Sequence, residues 1–300
     1  MNSPSFNLKQ SKILALVVLS LVAINGSAQT SFKFAAINVP GSKSTTANGI
    51  NNGNVIVGSY VSAAGHNFGF RLQNGHYSTI NVPGSKQTFA FGINDLGDVV
   101  GAYSLPGTPS QPANGHGFLL HNGVFKTIDF PGARFTQANG INKFGTIAGS
   151  YDDAHGFVLQ GGKFRTVDAP TNGNPATNLT GISNLGEITG EVFSGDNLRG
   201  FWIVGTSDLD FLKPFLARDN IVEGANGRGD IVGCNINLAF LAHNPESGEV
   251  EGSEGFPKLQ TLIPFGGNNS CAMSINYARA IVGWYSDSQL QQRGFLAIPQ

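Results

Sequence analysis

The sequence predicts an all-β fold, a six-bladed β-propeller with four-stranded blades, and two observations support this prediction. A ten-residue cassette, Gly-Ile-Asn-x-x-Gly-x-Ile-Val-Gly, recurs six times, starting at Gly49, Gly92, Gly140, Gly181, Gly224 and Ser274. The segments between cassettes vary in length and have the pattern of short apolar strands separated by turns. Because one such unit cannot bury both of its faces, neighbouring units must pack against each other.

The cassette itself predicts the first two strands of each blade and the turn between them. In the second repeat a strand ends at Asn94, a turn follows, and the chain returns from Asp98. A glycine at the fourth turn position can adopt the left-handed conformation that a three-residue hairpin needs. We therefore expect structural turn glycines at Gly97, Gly145, Gly186 and Gly229. Asn54 replaces this glycine in the first repeat, and Arg279 in the last predicts an altered turn.

A Gly-Phe pair marks the third strand, as in Gly117-Phe118, and its ring is expected to pack between blades. A tight turn such as Asn122-Gly123 leads into the fourth strand, which usually ends at a proline. The sixth repeat stops after its third strand, whereas residues 32–40 resemble an isolated fourth strand. We expect this N-terminal strand to complete the last blade and close the ring. An open β-solenoid is the alternative, but its coils would not need a borrowed strand.

The N-terminus has the pattern of a secretory signal peptide covering residues 1–28. Two lysines precede an apolar run from Ile13 to Ile24, and small residues follow before Gln29. The run is too short for a membrane span, so residues 29–300 are expected to be secreted or periplasmic, without a membrane span after cleavage. An uncleaved N-terminal helix is the alternative.

Export would allow the two cysteines, Cys234 and Cys271, to form a disulfide. Each lies beside a cassette, which suggests a bridge between the fifth and sixth repeats. Two buried free thiols are the alternative, because the sequence does not supply the Cα separation that a bridge requires.

Composition and motifs argue against several functions. The net charge of −1 and the absence of a basic cluster disfavour nucleic-acid binding. His66, His116 and His155 recur at similar places, but one histidine per blade cannot converge on an ion, so we expect no metal site and no cofactor. Local hydrolase, phosphate-binding and redox motifs are absent. A hydrolase or lyase site near the ring axis would be assembled from several blades and would escape a motif search. We expect a monomer.

The repeats resemble those of the bacterial extracellular HAF family, named after a His-Ala-Phe tripeptide. The resemblance covers nearly all of residues 29–300 and rests on the cassette and on a histidine before the recurring phenylalanine, as in His116-Gly117-Phe118 and His155-Gly156-Phe157. Glycine replaces the family's alanine, and three repeats have arginine or leucine for the histidine. The resemblance implies an exported, propeller-like repeat protein and carries no activity with it.

Variable loops on a rigid scaffold commonly bind ligands, and here they fall between the second and third strands and between blades. Aromatic and acidic residues cluster next to them: Tyr60, Tyr103, Tyr151, Asp152, Asp153, Trp284, Tyr285 and Asp287. Such a set suits a glycan or an extracellular protein, so non-catalytic recognition or scaffolding is the preferred function. The alternative is that the tyrosines only cap strands and pack on neighbouring blades. A structural envelope protein without a specific ligand is a further possibility.

Overall fold

The computed structural model describes residues 30–107, 115–152, 154–169, 176–194, 197–203, 220–235, 237–243, 259–267 and 269–300. The predicted signal peptide, residues 1–28, lies outside these residues. In the described part of the chain, no helix has both the length and the apolar character needed to cross a membrane.

The described residues form a ring of twenty-three strands. In chain order they are β1 Phe32–Ile37, β2 Ser44–Ile50, β3 Ile56–Val61, β4 Asn67–Gln73, β5 His76–Ile80, β6 Gln87–Ile93, β7 Val99–Ser104, β8 Gly115–His121, β9 Val124–Ile128, β10 Thr136–Ile141, β11 Ile147–Tyr151, β12 His155–Gln160, β13 Lys163–Thr166, β14 Ala176–Ile182, β15 Ile188–Ser194, β16 Asn197–Ile203, β17 Asn220–Ala225, β18 Ile231–Asn235, β19 Leu238–Ala242, β20 Leu259–Leu262, β21 Ser270–Ile275, β22 Ile281–Ser286 and β23 Gln292–Pro299. The strands form six antiparallel sheets, β2 to β5, β6 to β9, β10 to β13, β14 to β16, β17 to β20, and β21 to β23 with β1. The predicted six-bladed β-propeller is therefore confirmed. In the fourth blade the described residues supply three strands.

The N-terminal strand closes the ring. Strand β1 pairs antiparallel with β23, so that Phe32 lies opposite Pro299 and Ile37 opposite Gly294. Ile37 is buried, and the Phe34 ring meets Phe295 edge-on with the ring centroids 5.9 Å apart. The last blade is thus completed by the first strand, as predicted, and the edge of β23 is covered.

The recurring phenylalanine fills the interior of each blade. Phe70, Phe118, Phe157, Phe201, Phe240 and Phe295 are all buried. The closing glycine of each cassette makes room for the ring. A Cβ atom at Gly58, for example, would lie 2.7 Å from the Phe70 ring and 2.0 Å from the backbone oxygen of Thr46. The ring therefore packs onto the second strand of its own blade as well as toward the neighbouring blade.

The innermost strands come close together around the axis. A Cβ atom at Gly92 would lie 2.9 Å from the Asn139 backbone oxygen in the next blade, and one at Gly140 would lie 2.9 Å from the Gly181 Cα. At Gly92 and Gly140 the close approach of neighbouring blades thus requires glycine, whereas the sixth cassette has Ser274 at this position. The turn glycines Gly97, Gly145, Gly186 and Gly229 all have positive φ, as do Asn54 and Arg279.

A disulfide joins Cys234 on β18 to Cys271 on β21. The Cα atoms of the two cysteines are 4.8 Å apart, within the range that a disulfide spans. The bridge ties the fifth blade to the sixth.

Candidate functional site

The four predicted tyrosines lie in four different blades of the ring. Each lies on the second strand of its blade, and three of them hydrogen-bond a threonine of the fourth strand in the same blade. The hydroxyl pairs are Tyr60 with Thr79 at 3.1 Å, Tyr103 with Thr127 at 2.9 Å and Tyr151 with Thr166 at 3.0 Å. These are the contacts of strand-capping residues.

Packing further limits how much of these rings a ligand could reach. Tyr103 and Tyr285 are buried. The Tyr151 ring stacks on Phe130, with centroids 3.7 Å apart and planes inclined by 4°. The structure does not bring the tyrosines together as one open platform. That they bind a ligand stays a prediction.

The predicted acidic residues Asp152 and Asp287 accept hydrogen bonds from backbone N–H groups of nearby loops. Asp152 has a positive φ, and its Oδ1 accepts hydrogen bonds from the backbone N–H groups of Arg134 and Phe135. Asp287 Oδ1 accepts from Gln289 and Gln291 N–H, while its Oδ2 accepts from Arg293 Nε at 2.9 Å. The Gln291 N–H and then the Arg293 side chain lower the pKa of Asp287. Asp153 lies outside the described residues, and Trp284 is half-buried on β22 opposite Cys271.

Two recurring histidines are held within their own blades. His116 Nδ1 lies 3.0 Å from Asp129 Oδ1, and His155 Nδ1 lies 2.8 Å from Asp168 Oδ2. Among the described residues, no three His, Cys, Asp or Glu side chains are grouped as a metal site would require. Each of these histidine–aspartate pairs has the geometry of a structural hydrogen bond.

The ring axis contains a cavity of about 250 Å³. Residues from the first strands and cassette turns of all six blades line it. In each first strand the register shifts at the residue immediately before the cassette, as between Ala47 and Gly49, or between Val222 and Gly224. These bulge residues line the cavity and differ from blade to blade: Asn48, Phe91, Asn139, Thr180, Glu223 and Met273.

Three of these bulge residues connect neighbouring blades. Asn48 Nδ2 donates to the Ala90 backbone oxygen at 2.8 Å, Asn139 Nδ2 to that of Leu179 at 2.7 Å, and Thr180 Oγ1 to that of Val222 at 2.7 Å. The second amide proton of Asn48 reaches Ser59 Oγ, and that of Asn139 reaches Asn178 Oδ1. Since both N–H donors are used, these two asparagines present oxygen atoms to the cavity.

The cassette asparagine forms a second set of bonds between blades, which we call the asparagine latches. The side-chain amide donates to the backbone oxygen of the equivalent asparagine in the next blade, from Asn51 to Asn94, Asn94 to Asn142, Asn226 to Asn276, and Asn276 to Asn51. The last of these connects the sixth blade to the first. Serine replaces asparagine in the fourth blade, at Ser183, whose Oγ accepts only from its own turn among the described residues. The third cassette position therefore joins blades as well as shaping turns.

Arg279 has a similar connecting role. Its guanidinium donates to both carboxylate oxygens of Asp230 in the fifth blade, at 2.9 and 3.1 Å. Asp230 is fully buried and also meets Asn226 and His243. Burial alone would raise the pKa of Asp230, but the hydrogen bonds from Arg279, Asn226 and His243 outweigh it and lower the pKa. The arginine that replaces the turn glycine thus reaches the neighbouring blade.

The carboxyl group of Glu223 lines the axial cavity, and that of Glu191 lies close to it. Glu223 is half-buried on β17, and burial together with the negative charge of Glu191 raises its pKa to about 8. Glu191 lies on β15, where burial raises its pKa against the effect of a hydrogen bond from Asn178 Nδ2 at 3.0 Å. Glu223 is therefore mostly protonated at neutral pH. Every charged residue that lines the cavity is acidic.

The cavity reaches the face of the ring that bears the cassette turns, which we call the cassette-turn face. At its rim Asp95 Oδ2 accepts hydrogen bonds from Asn52 Nδ2 at 2.8 Å and from Asn184 Nδ2 at 3.0 Å. The second bond runs from the fourth blade to the second, so it crosses part of the mouth.

Three consecutive blades carry an exposed apolar side chain at the tip of the cassette turn. These residues, Leu96, Phe144 and Leu185, have 73%, 73% and 69% of their surface exposed, and we call them the apolar arc. Single exposed apolar residues are common, but a recurring set beside a cavity is typical of a binding surface. Sequence reasoning missed this face because it assigned these turns a purely structural role.

Comparison with solved structures finds chains of low similarity. Three similar structures are an oxidoreductase (glucose dehydrogenase) from Thermus thermophilus, AofleA from Arthrobotrys oligospora, and the Cps50 (Swd1) β-propeller domain from Myceliophthora thermophila. They share 10, 12 and 10% identity with this chain, with TM-scores of 0.48, 0.45 and 0.40. The matches cover 89, 92 and 90% of this chain and 100, 85 and 100% of the others. No family model and no curated protein sequence matches the chain. Similarity at this level concerns the fold alone.

Proposed function

We propose that this protein is a non-catalytic recognition module that binds its ligand through the axial cavity and the cassette-turn face. The observation that carries the proposal is the cavity itself, a concave space of about 250 Å³ formed by all six blades and bordered by the apolar arc. Binding sites are typically concave and already formed, with a few convergent polar groups. The volume suits a small group or one residue of a larger ligand.

The rigidity of the cavity supports recognition. Bonds between blades fix Asn48, Asn139 and Thr180, so a ligand would meet oxygen atoms that are already in position. Preorganised polar groups lower the entropic cost of binding. The opposite face, with Tyr60 and Asp287, was the predicted site. There the described aromatic and acidic side chains mostly form hydrogen bonds within their own blades.

We further propose that the protein is exported and belongs with the HAF-repeat proteins. The signal-like pattern of residues 1–28 and the Cys234–Cys271 bridge support export, because disulfides persist mainly in oxidising compartments. The cassette and the His-Gly-Phe segments support the family assignment.

A hydrolase or lyase with its site at the axis is the second candidate, and the Glu191–Glu223 pair favours it. Acid–base catalysis commonly uses two carboxyl groups, one protonated and one ionised. Here burial and the charge of Glu191 keep Glu223 protonated at neutral pH.

A ligand screen with two matched variants tests the proposal. Immobilised glycans, peptides and small amines would be screened against wild-type protein, Met273→Trp and Tyr60→Ala. Met273 lines the cavity and, unlike the bulge residues Asn48, Asn139 and Thr180, has an apolar side chain that cannot donate a hydrogen bond to a neighbouring blade. Tryptophan there narrows the cavity, whereas Tyr60→Ala alters the opposite face. We expect Met273→Trp to abolish binding and Tyr60→Ala to retain it.

The reverse pattern would place the site on the loop face, and no binding by wild-type protein would favour a structural role. Turnover of a bound ligand that disappears in Glu223→Gln would favour the enzyme.

A further inference from the structure

The chemistry of the axial cavity indicates which ligand it takes. This inference rests on the proposed function and goes further, because it names the ligand class. Asn139 donates both amide protons to the next blade, and Asn48 donates one to the next blade and one to Ser59 in its own; the Oδ1 atoms of both accept no hydrogen bond among the described residues. At these two positions the cavity presents hydrogen-bond acceptors, which suit a ligand that donates hydrogen bonds.

The carboxyl groups at the cavity favour ligands with a positive charge. The Glu223 carboxyl lines the cavity without a side-chain hydrogen-bond partner among the described residues, while Glu191 lies close enough to perturb it. Asp95 adds a third carboxyl group at the rim. Two nearby basic residues do not line the cavity and lie over aromatic rings, Lys143 over Phe144 and Arg228 over Tyr277 at the cavity rim. Among the polar groups of the cavity, a cation would find the carboxyl groups of Glu223 and Asp95 and the amide oxygens of Asn48 and Asn139, and no lysine or arginine lines the cavity in the described part of the chain.

The shape of the mouth favours a thin ligand. The Asp95–Asn184 hydrogen bond joins blades two and four and narrows the opening on that side. A lysine side chain is an unbranched stem with three ammonium donors at its tip, whereas a sugar ring is broader. The apolar arc beside the mouth offers no partners for sugar hydroxyls but suits the apolar side chains of a protein.

We propose that the axial cavity binds the ammonium group of a lysine side chain presented by a partner protein, whose flanking apolar residues cover Leu96, Phe144 and Leu185. The ammonium donates to Glu223 and to the asparagine oxygens. Its charge favours the ionised form of Glu223, so binding releases a proton at neutral pH. Affinity therefore increases with pH up to about 8, by about tenfold per unit between pH 6 and 7.

Blocked tripeptides provide the test. Acetyl-Leu-Lys-Leu-amide would be compared by calorimetry with the same peptide carrying norleucine in place of lysine, which keeps the aliphatic stem and removes the ammonium group. We expect the lysine peptide to bind at least tenfold more tightly, and to release close to one proton at pH 7 when measured in buffers of different ionisation enthalpy. Glu223→Gln should abolish both the preference and the proton release. Leu96→Ser should weaken the binding of both peptides and leave the ratio of their affinities unchanged.

Equal binding of the two peptides, or no binding of the lysine peptide, would overturn the proposal. Methyl glucosides, tested in parallel, show whether only the lysine proposal fails or the proposed recognition function fails as well. If a glucoside binds and Met273→Trp abolishes that binding, the cavity is a recognition site but not a lysine site. If n-butylamine binds as tightly as the lysine peptide, the apolar arc contributes nothing and the partner is not a protein.

Discussion

The asparagine latch that closes the ring is the most informative place to perturb this fold. Asn276 is buried, its Nδ2 donates to the Asn51 backbone oxygen and to Asn54 Oδ1, and its Oδ1 accepts from the Ala280 N–H. Asn276→Ala leaves the Ala280 N–H without an acceptor, at about 1–3 kcal/mol, and loses two bonds to the first blade at about 1 kcal/mol each. We expect the free energy of unfolding to fall by about 3–5 kcal/mol.

Asn276→Ser is the matched variant, because serine is the residue that the fourth blade uses at this position. Ser183 Oγ accepts from N–H groups of its own turn, so serine at position 276 should keep the bond to the Ala280 N–H and lose only the bonds to the first blade. We expect a loss of about 1–2 kcal/mol. Urea unfolding with the disulfide intact would measure both variants, and an unchanged m value would show that the unfolded state is the same. An Asn276→Ser variant as stable as wild type would refute the view that these bonds hold the ring closed.

Three further perturbations test the same account. Ile37→Ala, in the strand that completes the last blade, should cost about 2–5 kcal/mol through the cavity it leaves; a change in unfolding midpoint no larger than that of an exposed substitution would contradict the closure. Replacing Cys234 and Cys271 with serine removes a cross-link over 37 residues and should cost about 4 kcal/mol by the chain-entropy relation, measured by urea unfolding. Arg279→Gly removes the backbone strain of a non-glycine residue with positive φ, but it leaves buried Asp230 without its cation. We therefore expect the free energy of unfolding to fall by about 2–4 kcal/mol. Because the pKa of Asp230 is lowered in the folded state, its stabilisation is present above about pH 4 and is lost as the pH falls below that; the variant should show a smaller stability loss on acidification than wild type.

Much of the fold could be predicted because the repeat is local and regular. The cassette contains two strands and the turn between them, and the positive φ of Gly97 and its counterparts is the conformation that the turn chemistry indicates. The match of residues 32–40 to a fourth strand predicted the pairing of β1 with β23. The interblade role of the cassette asparagine was not predicted, since a side chain that shapes a turn and one that crosses to the next blade leave the same sequence signal.

The site was harder to predict for a physical reason. Recurring aromatic residues beside variable loops predict a binding surface, but Tyr60, Tyr103 and Tyr151 each form the same hydrogen bond to a threonine of their own blade. The bulge residues that give the cavity its polar groups, such as Asn48 and Glu223, differ between blades, so no repeated motif marks them. The available signal was positional, namely the residue before each cassette.

The most direct test of the account is hydrogen exchange of the intact protein with and without the tightest ligand found in the screen. Binding at the axis predicts slower exchange in the cassette turns at residues 94–98, 142–146 and 183–187, with loops 62–66 and 287–291 unchanged. Protection confined to those two loops would place the site on the opposite face and contradict the central claim.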